Sequence, residues 1–396
     1  MPEATQTAQH GNKAHSHGGY ASAAEVPLQT RSERVRSTNV ADFTPISARE
    51  EQWRYLKASQ LNGLDADILD EFAADLTAKH PESVLTSWVG AEHPMFGAAG
   101  VPEDRTSAAA WGSAAAAYLV TIPSDSEPDT EVRLSFASHD LAPSASHIII
   151  EAKSHSKGIV IIDHKGDATL AENVEIIVGD EANLTVVSIQ DWNAGSVHTS
   201  AQFAKLGRNA KLKHISISLG GDVVRISPSA TFAAPGGDVE LLGVYFADSD
   251  QHLENRLFVD HSEPNCKSRV TYKGALQGDG AHTVWVGDVL IRAAAEGTDT
   301  YELNRNLLLT EGCRADSVPN LEIETGQIQG AGHASASGRF DDEQLFYLQA
   351  RGITENEARR LVVRGFLNEV IQKIGIPEIE DRLNEAIEQE LARSAS

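Results

Sequence analysis

Between about residues 130 and 335 the chain is built from short runs of β-branched and other apolar residues. Val174-Glu175-Ile176-Ile177-Val178 and Leu184-Thr185-Val186-Val187 are examples, and Gly, Asp and Asn punctuate the runs. No long helical pattern interrupts this stretch, so a βαβ fold, which needs crossover helices, does not fit it. A weak repeat is present: Gly179-Asp180-Glu181-Ala182-Asn183-Leu184, Gly207-Arg208-Asn209-Ala210-Lys211-Leu212 and Gly236-Gly237-Asp238-Val239-Glu240-Leu241, at steps of 28 and 29 residues. One such unit cannot bury its apolar face alone and gains a core by stacking on its neighbours, which predicts a β-helix solenoid over 126–338. Short strands joined by turns also fit a β-sandwich.

The flanks read differently. Residues 1–25 are small and polar, carry His10, His15 and His17 with no partner ligand spaced to hold a metal, and read as a disordered tail. Residues 26–125 read as a mainly helical region. Ser47-Ala48-Arg49-Glu50 matches a capping box, Leu64, Ile68, Leu69, Phe72 and Leu76 recur at helical spacing, and Ala108 to Ala117 has high helix propensity. Residues 339–396 read as a C-terminal helical domain. Asp341 with Gln344 opens a first helix that Arg351-Gly352 closes; Thr354 with Glu357 opens a second that Gly375 and Pro377 end. Leu345, Phe346 and Leu348 on the first, and Ala358, Leu361, Val362, Phe366 and Val370 on the second, form an apolar stripe that either caps the solenoid or docks a partner.

Composition narrows the function classes. The 33 Lys and Arg against 57 Asp and Glu give a net charge of -24, which repels phosphate backbones and anionic lipid. No apolar run approaches the ~18 residues of a membrane span, and the first residues lack the apolar core of a signal peptide, so a cytoplasmic location is expected. Two cysteines, Cys266 and Cys313, cannot build a disulfide framework or a zinc site of paired cysteines. The absence of any Gly-Lys dipeptide excludes a P-loop, so any ATP chemistry belongs to another chain. No local signature of a nucleophile or an acid–base pair is evident.

The candidate chemistry lies between Tyr301 and Gly338. Cys313 follows a Gly in a turn-like stretch, and His333 lies among Gly, Ala and Ser that shield it little. Thiolate and imidazole both suit iron, but a cluster ordinarily takes four ligands, mostly thiolates, so this chain holds no stable cluster alone. Cys266 reads as a small buried hydrophobe.

The runs PNCKSRVTYKGALQGDGAHTVWVGDVLIRAAAEGTDTYELNRNLLLT (264–310) and GHASASGRFDDEQLFYLQARGITENEARRLVVRGFLNEVI (332–371) resemble the SufB/SufD family of iron-sulfur cluster assembly proteins. Arg49-Glu50-Glu51-Gln52-Trp53 resembles the N-terminal region of that family, and Thr298 to Glu302 with Asn304 to Leu307 favour its SufD branch. The resemblance implies a right-handed parallel β-helix between helical ends. It implies a non-catalytic scaffold subunit that works with a SufB-type subunit and the SufC ATPase, and a transient cluster or iron shared with the partner. His333 falls at the SufD histidine position, and Cys313 falls where SufB-type members carry their cluster cysteine. The C-terminal helices match the SufC-binding region, which makes Leu345, Phe346, Leu361, Val362 and Phe366 the candidate docking residues. Twenty residues separate Cys313 from His333, which one short solenoid turn would return to the same face, although steps of 28 and 29 argue for longer turns. Other readings are a β-solenoid enzyme of the polysaccharide lyase or acyltransferase kind, a structural homo-oligomer, and a homodimer of the isolated chain.

Overall fold

The computed structural model describes residues 34–340 and 342–393. The histidine-bearing tail expected at 1–25 and the Asp341 cap lie outside the described residues. In chain order the elements are β1 (Asp70–Glu71), β2 (Ala74–Lys79), β3 (Leu85–Val89), α1 (Arg105–Ser113) and β4 (Ala117–Ile122), then β5 (Val132–Ala152), β6 (Lys157–Val178), β7 (Asn183–Trp192), β8 (Val197–Leu206) and β9 (Lys211–Ser218). Next come β10 (Val223–Phe232), β11 (Asp238–Ala247), β12 (His252–His261), β13 (Lys267–Leu276), β14 (His282–Ile291), β15 (Asp299–Leu308), β16 (Arg314–Ile323) and β17 (Gly330–Arg339). Three helices follow: α2 (Asp342–Ala350), α3 (Glu355–Ile374) and α4 (Pro377–Arg393).

From β7 onward each strand pairs in parallel with the strand two further along, as β8 with β10 and β9 with β11, so the chain winds as a parallel β-solenoid with two faces. β6 crosses between the faces: Lys157–Gly166 pairs with β7 and Thr169–Val178 with β8. The bend is at Gly166, where φ is +93° and an added Cβ would stand 2.0 Å from the Ser138 carbonyl oxygen, so only glycine fits. Turn length varies along the solenoid, between 26 residues where Val197 stacks on Val223 and 32 where His282 stacks on Arg314. The sequence repeat gives the first of its two steps correctly and misses the second. Leu184 stacks on Leu212 as expected, but Leu212 stacks on Val239 rather than Leu241. Gly179 and Gly207 each open their corner, whereas Gly236 is the fourth residue of its own, so aligning glycines shifts the strand by two.

Inward side chains such as Ile162, Val186, Leu212, Leu241 and Val270 fill the lumen. Ile161, Val187, Ile215, Val244 and Phe246 point outward from one face and pack under Val363, Leu367, Val370 and Ile371 of α3 and Leu383 and Ile387 of α4. The other face is covered at Ala171, Val197 and Val223 by Trp53, Leu56, Leu61 and Leu64. Every residue of β12 is buried, including His252, Glu254, Asn255, Arg256, Asp260 and His261, so coverage on both faces here encloses polar side chains as well as apolar ones.

The N-terminal region is less helical than its spacing suggests. The stretch from Leu64 to Lys79 forms no helix: turns lead into β2, which pairs antiparallel with β5. Ala74, Leu76 and Ala78 alternate toward the core, so the operative period there is two and not 3.6. Ser47 caps no α-helix, its hydroxyl accepting from the Arg49 N–H at 3.3 Å before a single 3-10 turn over Glu51–Trp53. The alanine-rich stretch gives α1, capped by Asp104, which accepts from the Ser107 N–H at 2.9 Å. At the C-terminus Thr354 accepts from the Glu357 N–H, Gly375 ends α3 with φ +71°, and Pro377 opens α4, a third helix beyond the two delimited by sequence.

Candidate functional site

The two ends of the solenoid are finished differently. At the first, β4 pairs in parallel with β5 and β3 pairs with β4, and Val84, Tyr118, Val120 and Ile122 close the lumen. At the last, no residue of β16 or β17 is fully buried, although β14 directly beneath β16 is buried at all but its first residue. Among the described residues no strand closes the second end.

Thr300, Glu302, Asn304 and Asn306 of β15 point into the lumen, and β17 stacks Ala331, His333, Ser335 and Ser337 on them. His333 therefore belongs to the inward column, but with no turn above it the side chain is exposed. Deeper in, Asn304 Nδ2 donates to Tyr245 Oη at 2.8 Å, Tyr245 Oη donates to Asn306 Oδ1 at 2.7 Å, and Ser317 Oγ donates to Asn304 Oδ1 at 2.5 Å. Asn306 Nδ2 reaches Ser337 Oγ at 3.3 Å, which ties the terminal turn to this network. Beneath His333, Glu302 is buried with neither carboxyl oxygen hydrogen-bonded. Burial, reinforced by the nearby Asp288 carboxylate, pushes its pKa up to about 8. Sequence reasoning passed over Glu302, although its parity in Tyr301-Glu302-Leu303-Asn304 marks it as inward once the lumen side is known.

Cys313 lies at the corner before β16, half-buried, with Sγ 3.3 Å from both the Gly278 carbonyl oxygen and Thr310 Oγ1. It is not beside His333. His333 precedes Arg339 by six residues, Arg339 stacks on Leu308, and Cys313 is five residues past Leu308, so the two occupy opposite ends of the last turn. Six residues of strand rise separate them by roughly 20 Å. The turn is 31 residues where Glu302 stacks on His333, too long for a spacing of twenty to return the chain to one face. Cys266 is buried at the corner before β13, and burial pushes its thiol up.

The docking candidates divide. Leu345 is buried, Val362 and Phe366 are half-buried, and the Lys273 ammonium lies 4.7 Å from the Phe366 ring centroid. Phe346 is 72% and Leu361 47% exposed, with Tyr347 at 55% beside Phe346. The buried stripe of α3 is Ala358, Val363, Leu367, Val370, Ile371 and Ile374. It lies on the flank of the solenoid, against β11 and β13, and does not cap the open end.

Near the closed end His164, Glu172 and His198 bring their side-chain ligand atoms within 4.8 Å of one another inside the lumen. Glu172 Oε1 is 3.0 Å from His164 Nε2 and 3.2 Å from Ser146 Oγ, and Oε2 is 3.0 Å from Ser200 Oγ and 3.6 Å from His198 Nε2. The Trp192 indole N–H donates to His198 Nδ1 at 3.2 Å, which leaves the proton of a neutral ring on Nε2, facing Glu172. That nitrogen then has no lone pair for a metal, and the set is a carboxylate held by donors. Burial opposes its charge, but the two histidines outweigh burial and hold Glu172 well below the usual carboxylate range.

Residues 135–366 match the family described as SUF system FeS cluster assembly, SufBD core domain. An iron-sulfur cluster assembly SufBD family protein of Mycobacterium tuberculosis is 50% identical over 381 residues, 94% of this chain and 96% of that protein. A protein of the same description from Mycobacterium leprae is 50% identical over 368 residues, 91% of this chain and 94% of that one. A second SufBD family protein of Mycobacterium tuberculosis is 29% identical over 228 residues, 58% of this chain and 27% of that protein. With a core-domain match over more than half its length and such relatives along nearly all of it, the chain belongs to the SufBD family of iron-sulfur cluster assembly proteins.

Proposed function

We propose that this chain is a SufD-type scaffold subunit, that a SufB-type partner docks on its open solenoid end, and that a nascent cluster is built where they meet. The carrying observation is the asymmetry of the ends: one lumen is closed by strands, and the other stops at a half-exposed turn that holds an accessible imidazole in its inward column. The edge of β17 adjoins His333, and unpaired strand edges recruit other chains. That Mycobacterium tuberculosis has two proteins of this description, one similar to this chain along most of its length and one over about half of it, supports pairing between two family members.

On this reading iron or the cluster is cargo. His333 supplies one neutral imidazole nitrogen, a ligand suited to iron, and the partner supplies thiolate. Cys313, some 20 Å away by strand rise, serves that site only in a secondary way. ATP is hydrolysed by a SufC-type subunit docked on the C-terminal helices, where Phe346, Tyr347 and Leu361 present apolar surface to solvent. The complex works in the cytoplasm, and this subunit performs no catalysis.

The test is anaerobic co-expression with SufB- and SufC-type chains, with iron and sulfide measured on the purified complex. His333→Ala should abolish cluster assembly while the complex stays intact; Cys313→Ala should do less, and the double variant should match His333→Ala. Wild-type cluster content in the His333→Ala complex would remove the assignment. A stoichiometric, persistent cluster on the isolated chain would show that no partner is needed.

A further inference from the structure

On the outer side of the second face, away from the lumen, His252 of β12 stacks directly on His282 of β14, and Arg314 of β16 follows in the same column. The two rings face each other through Nδ1, at 3.1 Å. Their outer nitrogens are both engaged: His252 Nε2 is 3.1 Å from Glu254 Oε2, and His282 Nε2 is 2.7 Å from Asp316 Oδ2. The result is a line of four groups, carboxylate, imidazole, imidazole, carboxylate, spanning three consecutive turns.

Counting hydrogens shows what this line lacks. Two carboxylates at the ends each require an N–H, which fixes the proton of each neutral ring on Nε2. Both Nδ1 atoms then carry lone pairs and stand 3.1 Å apart with no hydrogen between them. A cation shared by the two nitrogens, an extra proton or a metal ion set to the side of the line joining them, relieves that contact. Asp104 lies 4.0 Å from Arg225, the Tyr55 ring meets His282 edge-on, and the Arg54 guanidinium lies over the Tyr55 ring.

We propose that His252 and His282 form a two-histidine site for a divalent first-row transition metal ion, bound through the facing Nδ1 atoms. The separation fits: metal–nitrogen bonds of about 2.0–2.1 Å in a tetrahedral shell place neighbouring ligands about 3.3 Å apart. The surroundings fit as well, because metal-bound imidazoles characteristically donate their other N–H to a carboxylate or carbonyl, and here both do so to carboxylates. Imidazole ligation selects ions such as Zn²⁺, Fe²⁺ and Co²⁺ over Mg²⁺ and Ca²⁺. Water completes the shell from the solvent side, where the His282 side chain is 19% exposed. This site is independent of His333, which lies in the lumen column of the opposite face.

Cobalt(II) is the probe, titrated into the full chain and followed by its visible absorption and by the melting temperature. Wild type should take up one ion that His282→Gln and His252→Gln lose, with at least a tenfold weaker affinity in each. Asp316→Asn should weaken binding about tenfold by releasing the His282 ring. His333→Ala should titrate like wild type, so loss of the cluster-site assignment would leave this result untouched. Cobalt taken up elsewhere on the chain is the same in all variants and cancels in the difference. Binding should raise the wild-type melting temperature and not that of His282→Gln. If His252→Gln does not fold, the more accessible His282 and Asp316 decide the matter. Identical titrations and melting shifts for wild type and His282→Gln would overturn the proposal and leave a pair that shares only a proton.

Discussion

Near the closed end of the solenoid Glu172 is buried among donors, two imidazoles and two hydroxyls. Near the open end Glu302 is equally buried and has none. The first is held ionised and the second is pushed up to about 8, so opposite charge states follow from the neighbours and not from depth. At the closed end the carboxylate is surrounded by groups that favour its charge. The open end carries an unpaired acid one turn beneath an exposed histidine, the kind of local inconsistency that functional ends retain.

Removing the well-partnered carboxylate should have the larger effect. Glu172→Ala leaves His164, His198, Ser146 and Ser200 around a cavity with unpaired donors, and the expected loss is about 3–5 kcal/mol. Glu302→Gln replaces a carboxyl that stays protonated up to about pH 8 with a neutral amide of the same shape, and it should change stability little at low pH. Urea midpoints of the two variants measure the contrast. Equal losses would show that Glu302 is partnered after all.

The pH dependence sharpens the same contrast. Glu302 is raised from an ordinary 4.5 to about 8 in the folded chain. Between those values the unfolded state has lost a proton that the folded state keeps, so this group's contribution to stability falls as pH rises from 4.5 to 8 and is level above it. At about 1.4 kcal/mol per pH unit the ceiling is about 4–5 kcal/mol, and structural relaxation will reduce it. His214 and His261, each lowered to about 4 by burial, act in the opposite sense, adding stability as pH rises from 4 to 6.5. Comparing Glu302→Gln with wild type across pH 5–9 cancels the histidines. The variant should gain on wild type steadily up to pH 8, and parallel curves would place Glu302 in a solvated setting.

Much of this architecture is legible in the sequence because it follows from short-range rules. Gly-Asp-Glu-Ala-Asn and Gly-Arg-Asn-Ala-Lys announce corners, Thr354 with Glu357 announces a helix start, and Gly375-Ile376-Pro377 a helix end. The N-terminal region misleads because Leu64, Ile68, Leu69, Phe72 and Leu76 satisfy a helical period by chance. In the fold Ile68 is 83% exposed, and Leu76 faces inward from a strand. His333 was marked by its Gly- and Ala-rich surroundings and by resemblance, but its distance from Cys313 depends on turn length, which varies between 26 and 32. The His252–His282 pair was invisible for the same reason: thirty residues apart, they meet only through β-strand register.

The C-terminal helices offer a comparison within one helix, and the smallest expected effect on the fold. Val363 and Leu367 of α3 are fully buried against the solenoid flank, whereas Leu361 on the same helix and Phe346 on α2 face solvent. A charge at Leu367 would be buried without a partner and should unfold the helical domain from the flank. Leu361→Asp and Phe346→Asp should change stability by no more than about 0.5 kcal/mol, because they remove no buried contact. Phe366→Asp is the poorer probe, since Phe366 packs beneath the Lys273 ammonium and its loss mixes docking with folding. The measurement is pull-down of the SufC-type ATPase by each variant beside its melting curve. Loss of binding at wild-type stability in Phe346→Asp or Leu361→Asp places the docking surface on this exposed face. Unchanged binding in both, with Leu367→Asp unfolded, would mean that the helices serve only to cover the solenoid and that the ATPase docks elsewhere.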